Sequence, residues 1–208
     1  MTVGTVPAEE LPTDIDPAAA PESGRPKRIP GEEGLWVFIL GDMAVFALFF
    51  GTILVTRGED PGMFAAAQHE LHPVFGIINT ALLLTGSLFV IRGLRRLGDG
   101  TAASSRLFAL TLVCALGFAA IKATEYTLLV QEGYSGGSND FFMYYFVFTG
   151  IHLAHLVIGA IIMIFMVRTA RRVQVSAGQR KFAECGAIYW HMVDLLWLVL
   201  FPLLYLIR

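Results

Sequence analysis

Charge is what this 208-residue chain has least of: Asp, Glu, Lys and Arg together make up 15% of it, against about 25% in ordinary soluble domains. So few charges exclude a typical water-facing surface and favour a membrane class. Basic excess is missing too, since the formal net charge is −2, and without a basic footprint nucleic acid is excluded as a partner. Cysteine is nearly absent: Cys114 and Cys185 are the two present, both inside apolar segments. That excludes a disulfide framework and suits small buried thiols. There is no CxxCH, no Glu-x-x-His pair and no internal repeat. The first 30 residues hold no apolar core of the length a signal peptide needs.

What the chain has instead is apolar surface: 55% hydrophobic residues, 16 of them Phe. The exception is residues 1–30, where "AEELPTDIDPAAAPESGRPKRIP" is rich in Pro, Ala and acid before turning basic at Arg25, Lys27 and Arg28. Its low hydrophobicity predicts a disordered cytoplasmic arm that stays attached. From there five apolar stretches follow, at about 35–56, 73–94, 106–130, 141–167 and 184–207, each near the roughly 20 helical residues that a bilayer requires. Lipid offers backbone groups no partner, so these must be helices.

Basic residues set the expected orientation. They gather in the arm, in the second link (Arg95 and Arg96, flanked by Arg92 and Arg106) and in the fourth (Arg168, Arg171, Arg172, Arg180 and Lys181). The first link has only Arg57 and the third has none. The positive-inside rule then puts the N-terminus in the cytoplasm and the C-terminus outside. The fold predicted for residues 31–208 is all-α, a polytopic five-transmembrane-helix bundle with almost no domain outside the membrane.

Ionisable groups within the spans are costly and each needs an account. Asp42 lies in the first span, Lys122 and Glu125 in the third, His152 and His155 in the fourth, His191 and Asp194 in the fifth. At about 1.5 Å per residue, Asp42 sits roughly 10 Å from the cytoplasmic end of its helix and His191 and Asp194 about 10–15 Å from theirs, so these three are expected to meet. His152 and His155 fall near mid-membrane, and Glu125 about 8 Å from its outer end. A spacing of three pairs His152 with His155, His191 with Asp194 and Lys122 with Glu125 on shared helix faces. Gly41, Gly150, Ala154, Gly159 and Gly186 are small enough for neighbouring helices to approach closely. Three chemistries fit these residues: hydrogen-bonded clamps between helices, a proton or ion pathway, and a metal or haem site. Trp36, Trp190 and Trp197 read as packing or interface anchors. The aromatic run "FFMYYFVF" at 141–148 suits an outer belt or a partner-helix surface. Pro202 is a candidate kink.

Four segments, in order, resemble subunit III of the haem-copper respiratory oxidases. "WVFILGDMAVFALFF" (36–50) is similar to the helix in which that family carries an acidic residue. "KATEY" (122–126) is similar to its Glu-Tyr/Trp motif before an outer loop. "GIHLAHLVIG" (150–159) resembles its Gly-x-His-x-x-His-x-x-x-Gly helix, and "WHMVDLLWLVLF" (190–201) its Trp-His-x-Val-Asp-x-x-Trp helix. The resemblance implies a non-catalytic subunit of a bacterial plasma membrane that binds neither haem nor copper itself. It would sit beside haem- and copper-bearing subunits I and II, hold phospholipid, sustain proton uptake into subunit I and protect that subunit from inactivation. It assigns Asp42, Glu125, His152, His155, His191, Asp194 and Trp197 structural, lipid-linked or proton-linked roles rather than catalytic ones. Many members have seven helices, the first two forming one wall of a lipid cleft; five helices here put that cleft in question. "PGEEGLWVFILGD" (30–42) also resembles a NorE-like subgroup that accompanies nitric oxide reductase, so an accessory role there is the alternative. A self-sufficient haem or metal membrane enzyme is the alternative of another class. The isolated chain is expected to be colourless and metal-free; stoichiometric haem or metal, by visible spectrum and metal analysis, would overturn the accessory reading.

Overall fold

The computed structural model describes Met1 and residues 33–99, 102–172 and 174–207. The arm expected to be disordered, 1–30, lies outside these apart from Met1. Among the described residues all regular structure is helical: α1 (Glu33–Glu59), α2 (Pro61–His69), α3 (Pro73–Arg95), α4 (Ala103–Gln131), α5 (Asp140–Ala170) and α6 (Ala177–Phe201), the last continuing into a π-helical turn, Pro202–Leu206. Five of these helices, α6 together with its π-turn counting as one, are long and apolar enough to cross a membrane. They match the five stretches expected from hydropathy, extended at most ends by a turn or less.

The helix starts are written locally. Asp60 accepts from the Met63 N–H at 3.0 Å ahead of Pro61, and Asn139 accepts from the Phe142 N–H at 2.9 Å. Ser176 and Gln179 exchange side-chain and backbone bonds in a capping box. Each device satisfies N–H groups that the first turn of a helix leaves open. Helix α2 departs from expectation, because its residues lie in a stretch read as a plain polar link. Its start signal is the Asp60–Pro61 cap, and its apolar face tucks Phe64 edge-on against Phe141 of α5, ring centroids 5.7 Å apart.

Helices α3, α4, α5 and α6 pack in that cyclic order as a four-helix bundle, each against the next and α6 back against α3. Helix α1 lies outside this ring, against α5 and α6. It buries Phe46 and Ile53 and leaves most of its other large side chains exposed, as suits a lipid-facing helix. The bundle axis is filled from α6. Trp190 and Trp197 are wholly buried, packing anchors as expected, while Trp36 is partly exposed.

Close approach is made possible by glycine, though not at all the positions expected. A Cβ on Gly186 would stand 2.7 Å from Ile162, and one on Gly159 3.3 Å from the Trp190 ring. A Cβ on Gly93 would meet the Phe108 ring at 2.7 Å. Gly41 and Gly150 instead face open space, because α1 is peripheral and Gly150 lies on the outer side of α5. The 141–148 run is also divided: Phe141, Phe142, Tyr145 and Phe148 point into the bundle, while Met143 and Val147 are exposed. It is mainly core rather than belt. Gly93→Leu should therefore lower resistance to SDS-induced unfolding by about 1–3 kcal/mol, the usual cost of overpacking, while Gly41→Ala leaves it unchanged.

Candidate functional site

The deepest polar cluster forms around Lys122, on the inward face of α4 and wholly buried. An ammonium has three protons to donate and nothing to accept with, and all three are placed. Nζ donates to Glu125 Oε2 at 2.9 Å, to the Tyr145 hydroxyl at 3.0 Å and to the Tyr205 hydroxyl at 2.8 Å. Tyr205 in turn donates to Glu125 Oε1 at 2.7 Å, which gives the second carboxylate oxygen its partner. The aromatic faces contribute as well, with Nζ 4.6 Å from the Tyr145 ring centroid and 5.3 Å from that of Trp197, within range of cation–π attraction. The expected Lys122–Glu125 pair is thus present. Its two tyrosines went unread, because Tyr205 reaches the cluster only through the π-helical turn that follows Pro202.

One layer along the axis, Trp197 is sandwiched by α4 and α5. Its ring meets Phe118 edge-on at 4.8 Å and His152 at 5.2 Å, and its Nε1 donates to Thr80 of α3 at 3.0 Å. This one side chain therefore touches three helices besides its own. His152 is fully buried with neither ring nitrogen hydrogen-bonded, and it does not pair with His155.

Instead, His155 is turned toward α1. Its Nε2 lies 3.2 Å from Asp42 Oδ1, and its Nδ1 lies 2.9 Å from the Ile151 carbonyl oxygen. A carbonyl only accepts, so Nδ1 carries the proton in that bond. Asp42 was expected to meet His191 and Asp194, and it does not. Depth along the membrane permitted that meeting, but direction around the bundle forbids it. Helix α1 touches α6 through the Phe38–Tyr189 stack and α5 through the Phe46–His155 contact, a side of α6 turned away from His191.

His191 and Asp194 face α3 instead. His191 Nδ1 is 2.6 Å from Ser87 Oγ and 3.7 Å from Asp194 Oδ2. The i, i+3 pair is therefore present at ion-pair range, with Ser87 as the closer partner of the imidazole. Neither Asp194 oxygen makes a hydrogen bond. Ser87 was missed because a lone hydroxyl in an apolar helix gives no periodic signal.

The bundle thus separates the polar residues into three places, Lys122/Glu125, Asp42/His155 and Ser87/His191/Asp194. Among the described residues, no three His, Cys, Asp or Glu side chains come together in a way that could hold a metal ion. The chemistry available is hydrogen bonding and polar pairing across helices, the Asp42–His155 contact among them. Removing one side of the buried ion pair leaves the other charge stranded, typically at a cost of about 3–5 kcal/mol. Lys122→Met should destabilise the chain by that order in SDS-induced unfolding, and adding Glu125→Gln to it should recover a large part of the loss.

Known proteins can be set beside this geometry. The family model for cytochrome c oxidase subunit III matches residues 32–207. Cytochrome c oxidase subunit 3 of Bacillus sp. PS3 is 29% identical over 204 residues, covering 96% of this chain and 97% of the relative. Cytochrome bo(3) ubiquinol oxidase subunit 3 of Pseudomonas putida is 26% identical over 176 residues, 84% of each. A haem-copper oxidase subunit I+III of Aeropyrum pernix is 28% identical over 213 residues, covering 99% of this chain and 25% of that longer protein. With a match that spans every described helix, the chain belongs to the subunit III family of the haem-copper oxidases.

Proposed function

We propose that this chain is the non-catalytic subunit III of a haem-copper terminal oxidase in aerobic respiration, lying in a bacterial plasma membrane with its N-terminus in the cytoplasm. In this reading it stabilises subunit I and supports that subunit's proton uptake and oxygen reduction. Haem and copper belong to the neighbours; this chain contributes helices and bound or surrounding phospholipid. The observation that carries the reading is how the buried charge is used. Every proton of the Lys122 ammonium, and both oxygens of its Glu125 partner, are committed to bonds within the chain. Such a cluster braces a fold and leaves no group free to attack or ligate a substrate.

The partner is supported by the relative from Aeropyrum pernix, whose name joins subunits I and III in one protein. The two other relatives above are named for different donors, cytochrome c in one and ubiquinol in the other. The donor is accordingly a property of other subunits. The orientation is supported by the arginines: Arg92, Arg95, Arg168 and Arg180 all lie at one end of the bundle. At the opposite end Arg57 donates to the Ile207 carbonyl at 2.6 Å, a use suited to the open carbonyls at a helix C-terminus.

The nitric oxide reductase alternative is less favoured, since the relatives above are all named as oxidase subunits. An affinity tag on this chain should bring down a haem-copper subunit I from detergent-solubilised membranes. Deleting the gene should slow oxygen respiration and leave anaerobic nitric oxide consumption unchanged. A tagged chain purified without any haem-copper subunit would defeat the proposal, and the reverse respiratory phenotype would favour the reductase role.

A further inference from the structure

One end of the bundle carries a positive face that its own acids do not balance. Residues 92–106 and 168–181, which form the α3–α4 and α5–α6 links and the helix ends beside them, hold eight arginines and one lysine against a single acid, Asp99. Two of the arginines are used within the chain. Arg180 donates to the Leu97 carbonyl at 2.7 Å and Arg171 to the Ser105 hydroxyl at 3.3 Å. Arg92, Arg95, Arg96, Arg106, Arg168 and Arg172 are exposed, and their side chains make no ion pair or hydrogen bond among the described residues. Like charges gathered on one face repel one another and draw in any anion within reach.

Helix α1 begins at this same end, since its far end meets the close of α6 through the Arg57–Ile207 bond. The sequence that leads into it is a matching anion. Residues 9–22 contain five acids, Glu9, Glu10, Asp14, Asp16 and Glu22, and no lysine or arginine precedes Arg25. This segment lies outside the described residues, yet Glu22 comes only 11 positions before Glu33, the first residue of α1. A chain of that length extends at most about 36–40 Å, and four helices spaced about 8–10 Å apart make a face on the order of 20 Å across. The tether therefore reaches, and it holds the acids at an effective concentration of about millimolar whatever the lipid composition. Lipid headgroups are the competing anions, but they ring the bundle from its sides. Arg96 and Arg172 lie in the links, past the ends of α3 and α5, where the tethered segment has the better approach. We infer that residues 9–22 seat across the two links in the same chain, their carboxylates against Arg95, Arg96, Arg106 and Arg172. Seated there, the segment clasps the α3–α4 link to the α5–α6 link and neutralises the face. The inference stands on the helical fold and does not depend on which complex the chain joins.

Site-directed photocrosslinking of the full chain in native membranes tests it. In a Cys114→Ala/Cys185→Ala background, a benzophenone maleimide is attached at Ala19→Cys, between Asp16 and Glu22. Mass spectrometry should place the crosslink within the same chain, at residues 95–106 or 171–176. Neutralising the segment (Glu9→Gln, Glu10→Gln, Asp14→Asn, Asp16→Asn and Glu22→Gln together) should lower that yield about fivefold or more, and about 0.5 M salt should do the same by screening. Replacing the five acids by lysine while making Arg95→Glu, Arg96→Glu and Arg172→Glu should restore it. The neutralising substitutions lie outside all five spans, so resistance to SDS should stay at the unmodified level. A probe that labels chiefly lipid, a second copy of this chain or another subunit would overturn the inference. So would an in-chain crosslink indifferent to neutralisation and salt. In nanodiscs, loss of the crosslink when phosphatidylglycerol replaces phosphatidylcholine would assign the arginine face to headgroups and overturn it as well.

Discussion

A lysine ammonium in the dry interior of a helical bundle has to be given three acceptors and a counter-charge, or it will not stay there. Lys122 obtains them from three directions: Glu125 one turn along its own helix, Tyr145 on α5, and Tyr205 beyond the end of α6. Much of the architecture follows from meeting that demand. Helices α4 and α5 must stand close enough for a lysine to reach a phenol. The chain must also leave α-helical geometry after Phe201, because the π-turn is what carries Tyr205 inward. The same turn brings the Leu204 carbonyl to Gln68 of α2, 3.1 Å from its Nε2, and Ile207 to Arg57 of α1. One buried charge thus coordinates the whole of that end of the molecule.

The rest of the bundle is organised by aromatic surface rather than charge. Trp197 connects the ion cluster to the apolar interior, offering a ring face toward Lys122 and an N–H to Thr80. Trp190, a further two turns along α6, fills the space that Gly86 and Gly159 leave open. A bundle whose central helix carries two tryptophans needs glycines on its neighbours. A Cβ at Gly86 or Gly159 would already stand 3.4 or 3.3 Å from the Trp190 ring, which leaves no room for a larger side chain.

What was legible in the sequence divides along physical lines. Long apolar runs and their arginine flanks are one-dimensional signals, and they gave the five spans with small errors at the ends. Residues three apart on one helix are nearly as direct, so Lys122–Glu125 and His191–Asp194 could be paired in advance. Asp42 shows where this stops. Rise per residue yields depth, and depth alone cannot tell which side of α6 a neighbour approaches from; only packing put Asp42 on His155. Helix α2 was missed because nine residues with modest hydropathy look like a loop until Phe64 finds Phe141. Ser87, Thr80, Tyr145 and Tyr205 are single polar residues on apolar helices, and their importance arises wholly from their partners.

The π-helical turn also has a consequence in time. A chain is made from its N-terminus, so Lys122 and Glu125 enter the membrane two helices ahead of Tyr205. Until α5 arrives the ammonium lacks two of its three acceptors, and until Tyr205 arrives it lacks one, while Glu125 lacks the hydroxyl on its second oxygen. The turn that carries Tyr205 is therefore what completes the cluster. A chain that stopped just before Tyr205 would keep its five long apolar helices and still hold an unfinished charge at its centre. Such a product would be distinguishable by its stability from a chain that includes Tyr205, before any partner takes part.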